Sequence, residues 1–120
     1  MSARFRFQDF EIWKFAADIA DRLFDIADTL EKRKLFRFAD QMRGAGMSMT
    51  NNIAEGSGAT SNRAFSRYLG ISRESVFESA NMTIILHRRE LLDEVTRDVL
   101  LEDLDHLGRM ITNFQRSLFP

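Results

Sequence analysis

Cysteine is absent from this 120-residue chain. That excludes disulfides, thiolate catalysis, and zinc or iron–sulfur clusters held by thiolates. Proline occurs once, at Pro120, and glycine six times. Such scarcity argues against a turn-rich β fold and suits long helices. No stretch approaches the roughly 18 consecutive apolar residues of a membrane span. The start, Met1-Ser-Ala-Arg-Phe-Arg-Phe7, lacks the apolar run of a secretory signal. A soluble cytoplasmic protein is expected, with no membrane partner. An excess of either charge is missing too. The 17 Lys and Arg face 18 Asp and Glu, a net charge of −1, so the chain as a whole exerts no pull on nucleic acid or anionic lipid. What is present is 44% hydrophobic and 29% charged residues. These are the proportions of a single globular domain, and too apolar for a disordered chain.

Apolar spacing predicts four helices, at about residues 9–30, 35–55, 62–90 and 97–118. In the first, Phe10, Trp13, Ala17, Ala20, Phe24 and Ala27 form one stripe. Ile12, Ala16, Ile19, Leu23, Ile26 and Leu30 form a second. Together they are wider than one partner helix needs. Asp9 is the expected N-cap. The second helix carries Leu35, Ala39, Met42, Gly46, Met49 and Ile53, with Gly44-Ala-Gly46 suited to close approach of another backbone or to a bend. The stretch Gly56-Ser-Gly-Ala-Thr-Ser61 reads as a loop, with Gly56 or Gly58 ending the helix in the left-handed conformation. Ser61 is placed to cap the third helix. Its apolar positions are Phe65, Tyr68, Leu69, Ile71, Val76, Met82, Ile84, Ile85 and Leu86, interrupted by Gly70, Ser72, Ser75, Ser79, Ala80, Asn81 and Thr83. Thr96 is the expected cap of the fourth, where Leu100, Leu104, Leu107, Ile111, Phe114 and Leu118 hold a heptad seam. No internal repeat is apparent. Short connectors force antiparallel neighbours, so the expected fold is all-α: an up-down-up-down four-helix bundle in one domain, 1–120.

The near-zero total charge hides a partition. Residues 1–31 carry four basic and seven acidic groups, residues 32–91 ten basic and five acidic, and residues 92–120 three basic and six acidic. A basic middle hairpin is thus flanked by acidic outer helices. Three uses are open: solvated charge paired within the subunit, self-assembly of unlike faces, or contact with a nucleic-acid backbone. For the last, the candidate residues are Lys32, Arg33, Lys34 and Arg37 at the first connector, with Arg63 and Arg67.

Catalytic patterns are sparse. His106 is preceded at −3 by Asp103 and His87 by Ile84, so the Glu-x-x-His repeat of di-metal bundles is missing. Glu102 and His106 lie one turn apart, but two ligands do not make a metal site. No phosphate-binding glycine loop or nucleophile elbow occurs. No catalytic residue, metal, cofactor or small-molecule substrate is expected.

Several stretches agree in order and spacing with a known signature. They are Phe7-Gln-Asp-Phe-Glu-Ile-Trp-Lys14, Gln41-Met-Arg43, and Asn52-Ile-Ala-Glu-Gly56 followed by Ser61, Phe65, Arg67-Tyr-Leu69, Ser75 and Glu78. In these the chain resembles the four helix bundle protein family, also called intervening-sequence proteins of large-subunit ribosomal RNA. The resemblance spans nearly the whole chain. It implies an antiparallel four-helix bundle and a cyclic homo-oligomer, most simply a pentamer, because characterised relatives form pentameric rings. A more distant branch, the accessory protein of diversity-generating retroelements, binds RNA and a reverse transcriptase. For most members no biochemical activity is established. Met49 stands where the family pattern has proline, leaving the second helix without its usual kink residue.

The motif residues admit two readings. Asn52 and Glu55 share a face of the second helix, and Ser75 and Glu78 a face of the third. With Gly56 between the helices, they could form a polar lock that fixes register, the carboxylates paired by Arg43, Arg67 or Arg73. Alternatively they are solvated. Trp13 and the eleven Phe residues are expected mostly in the core, although Phe5, Phe7 and Phe10 could instead anchor an arm on a neighbouring subunit. The functional expectation is a non-catalytic, oligomeric binding or scaffold protein. The alternative is an RNA-binding accessory to a nucleic-acid enzyme, acting through the basic face of helices two and three.

Overall fold

Apolar residues recurring every three to four positions fold into α1 (Glu11–Lys32), α2 (Phe36–Ser57), α3 (Asn62–Arg88) and α4 (Glu94–Ser117), preceded by one 3-10 turn at Arg6–Asp9. The computed structural model describes residues 2–120, and among these no strand occurs. The molecule measures 44 × 33 × 21 Å.

The helix ends correct three expectations. Asp9 does not cap α1. It closes the 3-10 turn and its carboxylate holds Arg4 at 2.6 Å, while α1 starts behind Phe10 with no side-chain cap. Thr96 does not cap α4. Its amide donates to the carboxylate of Asp93 at 2.7 Å, so the helix begins a few residues earlier than apolar spacing implies. Neither Gly56 nor Gly58 is left-handed: α2 runs through Ser57, and Gly58 sits at φ −90°. Ser61 does cap α3, accepting the Ala64 amide at 3.1 Å.

The left-handed residues are instead Lys34 (φ 63°) and Glu90 (φ 61°). Each ends a helix in the same six-residue motif. The Leu35 amide donates back to the Leu30 carbonyl, and that of Leu91 to the Leu86 carbonyl, both at 2.9 Å. The inner bonds, Lys34 to Glu31 and Glu90 to His87, complete the motif. The segments Leu30-Glu-Lys-Arg-Lys-Leu35 and Leu86-His-Arg-Arg-Glu-Leu91 are thus one pattern used twice, a short repeat that helix-length scanning passes over.

Consecutive helices pack along their lengths. Gly46 of α2 lies against Phe24 and Ala20 of α1. Ser72 and Ser75 of α3 reach Met49 and Ser48 of α2. Gly108 of α4 faces Val76 of α3, and the Gln115 amide donates to the Ser66 carbonyl at 2.9 Å. Of the helix pairs that touch, α1 and α4 make the slightest contact. They meet through Phe15 on His106 and an Arg22–Asp103 ion pair at 2.8 Å. That pair is about one-third exposed, so it contributes at most about 1 kcal/mol.

The fully buried large residues are Ile19, Leu23, Leu30, Met42, Met49, Ile53, Leu69, Leu86, Leu100, Leu104, Leu107 and Ile111. Both stripes of α1 pack within the chain, the first against α2 and the aromatic N-terminal turn. Among the described residues no large apolar side chain of α1 is exposed. The width of its face is therefore accounted for within the subunit. Nor is the N-terminal segment a free arm. The Arg6 guanidinium donates to the Ser57 carbonyl at the end of α2 (2.7 and 3.1 Å) and stacks over Phe10 and Phe65. Phe10 itself packs on Phe65 and Phe114.

Candidate interaction surfaces

The α2–α3 contact is polar at its centre. The Asn52 amide donates to the carbonyl (2.8 Å) and hydroxyl (3.0 Å) of Ser48, and the Ser75 hydroxyl donates to the Ser48 hydroxyl at 2.6 Å. Ser48, one turn before Asn52, is the residue the motif reading missed; its i, i+4 spacing was the available signal. Further along, Ser72 donates to the Met49 carbonyl across the helices, while Ser79 and Thr83 donate to carbonyls one turn back, each at 2.8 Å. All four of Ser72, Ser75, Ser79 and Thr83 are buried. Each satisfied bond contributes about 1 kcal/mol net, and the small side chains let the two backbones close up.

The carboxylates of the expected lock are not in it. Glu55 and Glu78 are exposed and pair with no cation. The three arginines considered as partners are engaged elsewhere. Arg43 holds Asp28 at 2.7 Å and Glu31 at 3.1 Å on α1. Arg67 lies over Tyr68, and Arg73 over Phe77. An unpaired carboxylate inside would cost several kcal/mol, so both point to solvent. Gly56 has a steric role. A Cβ there would stand 2.7 Å from the Phe65 ring and 2.9 Å from the Tyr68 Cβ.

The basic candidates fall into two groups. Phe38 and Gln41 of α2 line one groove with Asn81, Met82 and Ile85 of α3, so the start of α2 lies beside the end of α3. Gly56 meets Phe65 and Tyr68 at the other end. Lys32, Arg33, Lys34 and Arg37 therefore sit at one end of the molecule and Arg63 and Arg67 near the other, about 30 Å away along α2. The structure does not join them into one face. It brings the first group instead to the end that holds Arg88 and Arg89, which are remote from it in sequence. All eight are exposed, and none forms an ion pair.

The inner side of α3 mixes four buried hydroxyl residues with Phe65, Leu69, Val76 and Leu86, and its outer side mixes charged with apolar side chains. Ile71, Phe77, Ile84 and Ile85 are exposed, Phe77 by 59%. Three of these, Ile71, Ile84 and Ile85, fall among the apolar positions read from the sequence, and burial of the serines goes with their facing outward. Phe5, Phe36, Phe77 and Phe119 likewise stand out of the core that phenylalanine normally joins. On the opposite flank, Ile26 of α1 with Val95 and Val99 of α4 lines an open groove beside Asp25 and Arg22.

Charge at the surface is shaped by these pairings. The Arg43 guanidinium is held more firmly protonated by hydrogen bonds to Asp28 and then Glu31. The Asp93 carboxyl is lowered below the usual carboxylate range, chiefly by the Thr96 amide. Arg4 lowers Asp9 in the same direction through a hydrogen bond. Each of these groups lies at the surface. Glu102 and His106 share a flank of α4, and among the described residues no group of three His, Asp or Glu comes together. Among the described residues no helix is long and apolar enough to cross a membrane.

A family profile described as 23S rRNA-intervening sequence protein matches residues 8–113. No curated protein and no solved structure matches the chain.

Proposed function

The chain belongs to the 23S rRNA-intervening sequence protein family, and from that premise we propose that it is a non-catalytic cytoplasmic scaffold whose copies assemble into a closed ring. Within each subunit the helices run up-down-up-down. The paired positions support this: 24 with 46 and 28 with 43, 48 with 75 and 49 with 72, 66 with 115 and 76 with 108, 15 with 106 and 22 with 103 each match a rising residue number to a falling one. The observation that carries self-assembly is the reversed α3, with serines inside and Ile71, Phe77, Ile84 and Ile85 outside. These side chains lie on the two flanks of a charged strip, Ile85 towards α2 and Phe77 towards α4, and exposed apolar side chains that cluster with charge are the mark of an interaction surface. Light scattering over a range of concentrations tests the reading. A constant multiple of the 13.9 kDa subunit is expected, and a subunit that stays solitary at micromolar concentration ends it.

A second reading rests on the unpaired cations Lys32, Arg33, Lys34, Arg37, Arg88 and Arg89 at one end. These suit an RNA backbone, and repetition around a ring would multiply their charge. Electrophoretic shifts with structured RNA check it: binding should weaken steeply as salt rises, and no shift at low salt removes it.

A further inference from the structure

Ion pairs formed inside the subunit leave opposite charges over on two faces. On α1 and α4, Lys14, Arg22, Arg97 and Arg109 are each already held by a carboxylate. Asp18, Asp25 and Glu102 have no such partner and are exposed along the flanks of the slight contact between these two helices. On α3 the reverse holds. Arg67, Arg73 and Arg88 pair with no carboxylate; Glu74 and Glu78 share the outer side but leave it net positive, the more so with Arg63.

Each face also carries apolar side chains. Phe77 and Ile84 stand out from α3, while Val95, 74% exposed, and Val99 rim the groove over Ile26. The exposed row from Ile71 to Ile85 is about 20 Å long by helix rise, and the α4 flank from Val95 to His106 about 17 Å.

We infer that the outer face of α3 in one copy docks along the α1–α4 groove of the next, the arginines of the first meeting Asp18, Asp25 and Glu102 of the second. This rests on the self-assembly reading and specifies it. The charge signs select an unlike pairing. Two α3 faces would set arginine against arginine, and two grooves carboxylate against carboxylate, whereas face on groove satisfies both. A contact between unlike faces is head-to-tail, so it propagates and closes into a ring when the rotation allows. Its ionic part is exposed, so assembly loosens as salt rises.

Two double variants of the full chain test the pairing: F77E/I84E on the α3 face and V95K/V99K on the groove. All four positions are exposed, and far-ultraviolet circular dichroism verifies that each variant is helical. Each alone is expected at subunit mass, because like charges then oppose each other across the contact. Mixed one to one, they should again form oligomers well above the subunit mass, since the acidified face meets the basic groove and the remaining native face meets the native groove. Strict alternation closes only rings with an even number of subunits, so the mass equals that of the wild type only if its ring is even-numbered. If V95K/V99K assembles as wild type does while F77E/I84E does not, the groove is not the acceptor and the inference fails, with self-assembly intact. A monomeric wild type fails both. Loss of assembly on ribonuclease treatment overturns the direct contact in favour of RNA.

The cysteine-free background supplies a milder check should either double variant unfold. Single F77C and V99C chains, mixed and treated with a flexible bis-maleimide, should yield chiefly the mixed cross-link. Predominant F77C–F77C products overturn the assignment.

Discussion

Helices α1 and α3 are both long and both central, yet they present their sides in opposite ways. In α1 the buried positions are aliphatic, Ile12, Ala16, Ile19, Leu23 and Leu30 among them, and the exposed ones are charged. In α3 the middle of the buried side is Ser72, Ser75, Val76, Ser79 and Thr83, while Ile71, Phe77, Ile84 and Ile85 face out among charged residues. The first is stabilised by removing hydrocarbon from water. The second is held by close approach and by hydroxyls whose every bond is satisfied. A helix of the second kind gives up apolar burial on its own chain and keeps apolar surface for something else.

The strongest attack on that contrast is to fill the α2–α3 contact. Gly56→Ala places a methyl 2.9 Å from the Tyr68 Cβ, an atom fixed to its backbone. It should destabilise the subunit by about 3 kcal/mol in urea unfolding. On the α1 side, Gly46→Ala meets only the edge of the Phe24 ring at 3.0 Å. A half-buried ring can swing away, so the expected loss is about 1 kcal/mol or less. Equal losses at the two glycines would show that α2 packs alike on both neighbours and would dissolve the comparison.

Next in size is a reversal of chemistry on α3 itself. Ser79→Leu, which would turn α3 into a helix like α1, should cost about 2 kcal/mol because no space exists for the side chain. Ile71→Ser, which removes an isoleucine from the outer side, should change subunit stability by less than about 0.5 kcal/mol. Unfolding at matched low concentration separates these effects from any loss of assembly.

The difference between the two helices also marks how far the sequence was legible. The four elements, the Ser61 cap and the seams of α2 and α4 follow from spacing alone, because one apolar face per helix is the usual arrangement. Helix α3 defeats that rule. Ser72, Ser75, Ser79 and Thr83 recur at the same three-to-four spacing as a core stripe, so the periodicity is present but carried by residues that transfer scales count as polar. Asn52 and Ser75 are legible as members of a cross-helix network, because they sit among apolar seams. Glu55 and Glu78 share their faces only loosely, and helical spacing cannot distinguish a flank from a centre. The basic set fails differently. Arg63 and Arg67 are nearer to Lys34 in sequence than Arg88 and Arg89 are, yet chain reversal at Gly56–Ser61 returns the far end of α3 to the start of α2.

Where α1 and α3 agree is at their C-termini, and that agreement can be sharpened. Lys34 and Glu90 adopt a left-handed backbone at the position where glycine carries no steric penalty. Lys34→Gly and Glu90→Gly should each stabilise the subunit by up to about 1 kcal/mol, the relief of that penalty reduced by the extra entropy of the unfolded chain. Calorimetric melting of both variants checks it. A gain at one connector only would mean that the shared hexapeptide does not ensure a shared energy.

The smallest effect lies at the opposite ends of the helices, their N-termini. Neither α1 nor α2 begins with a side-chain cap. Beyond α3, Asp93 caps α4 by accepting the Thr96 amide, and its folded pKa lies below the ordinary value because that bond favours the carboxylate. A depressed carboxyl contributes stability that is complete above its unfolded pKa and disappears as pH falls through the folded one. The contribution is therefore present at neutral pH and fades below about pH 4, the ordinary carboxyl value. Asp93→Asn retains an acceptor oxygen without the titration. Its melting temperature should fall less steeply than wild type between pH 5 and pH 3, roughly the window of carboxyl titration. Parallel curves would show that the cap's charge adds nothing to its geometry.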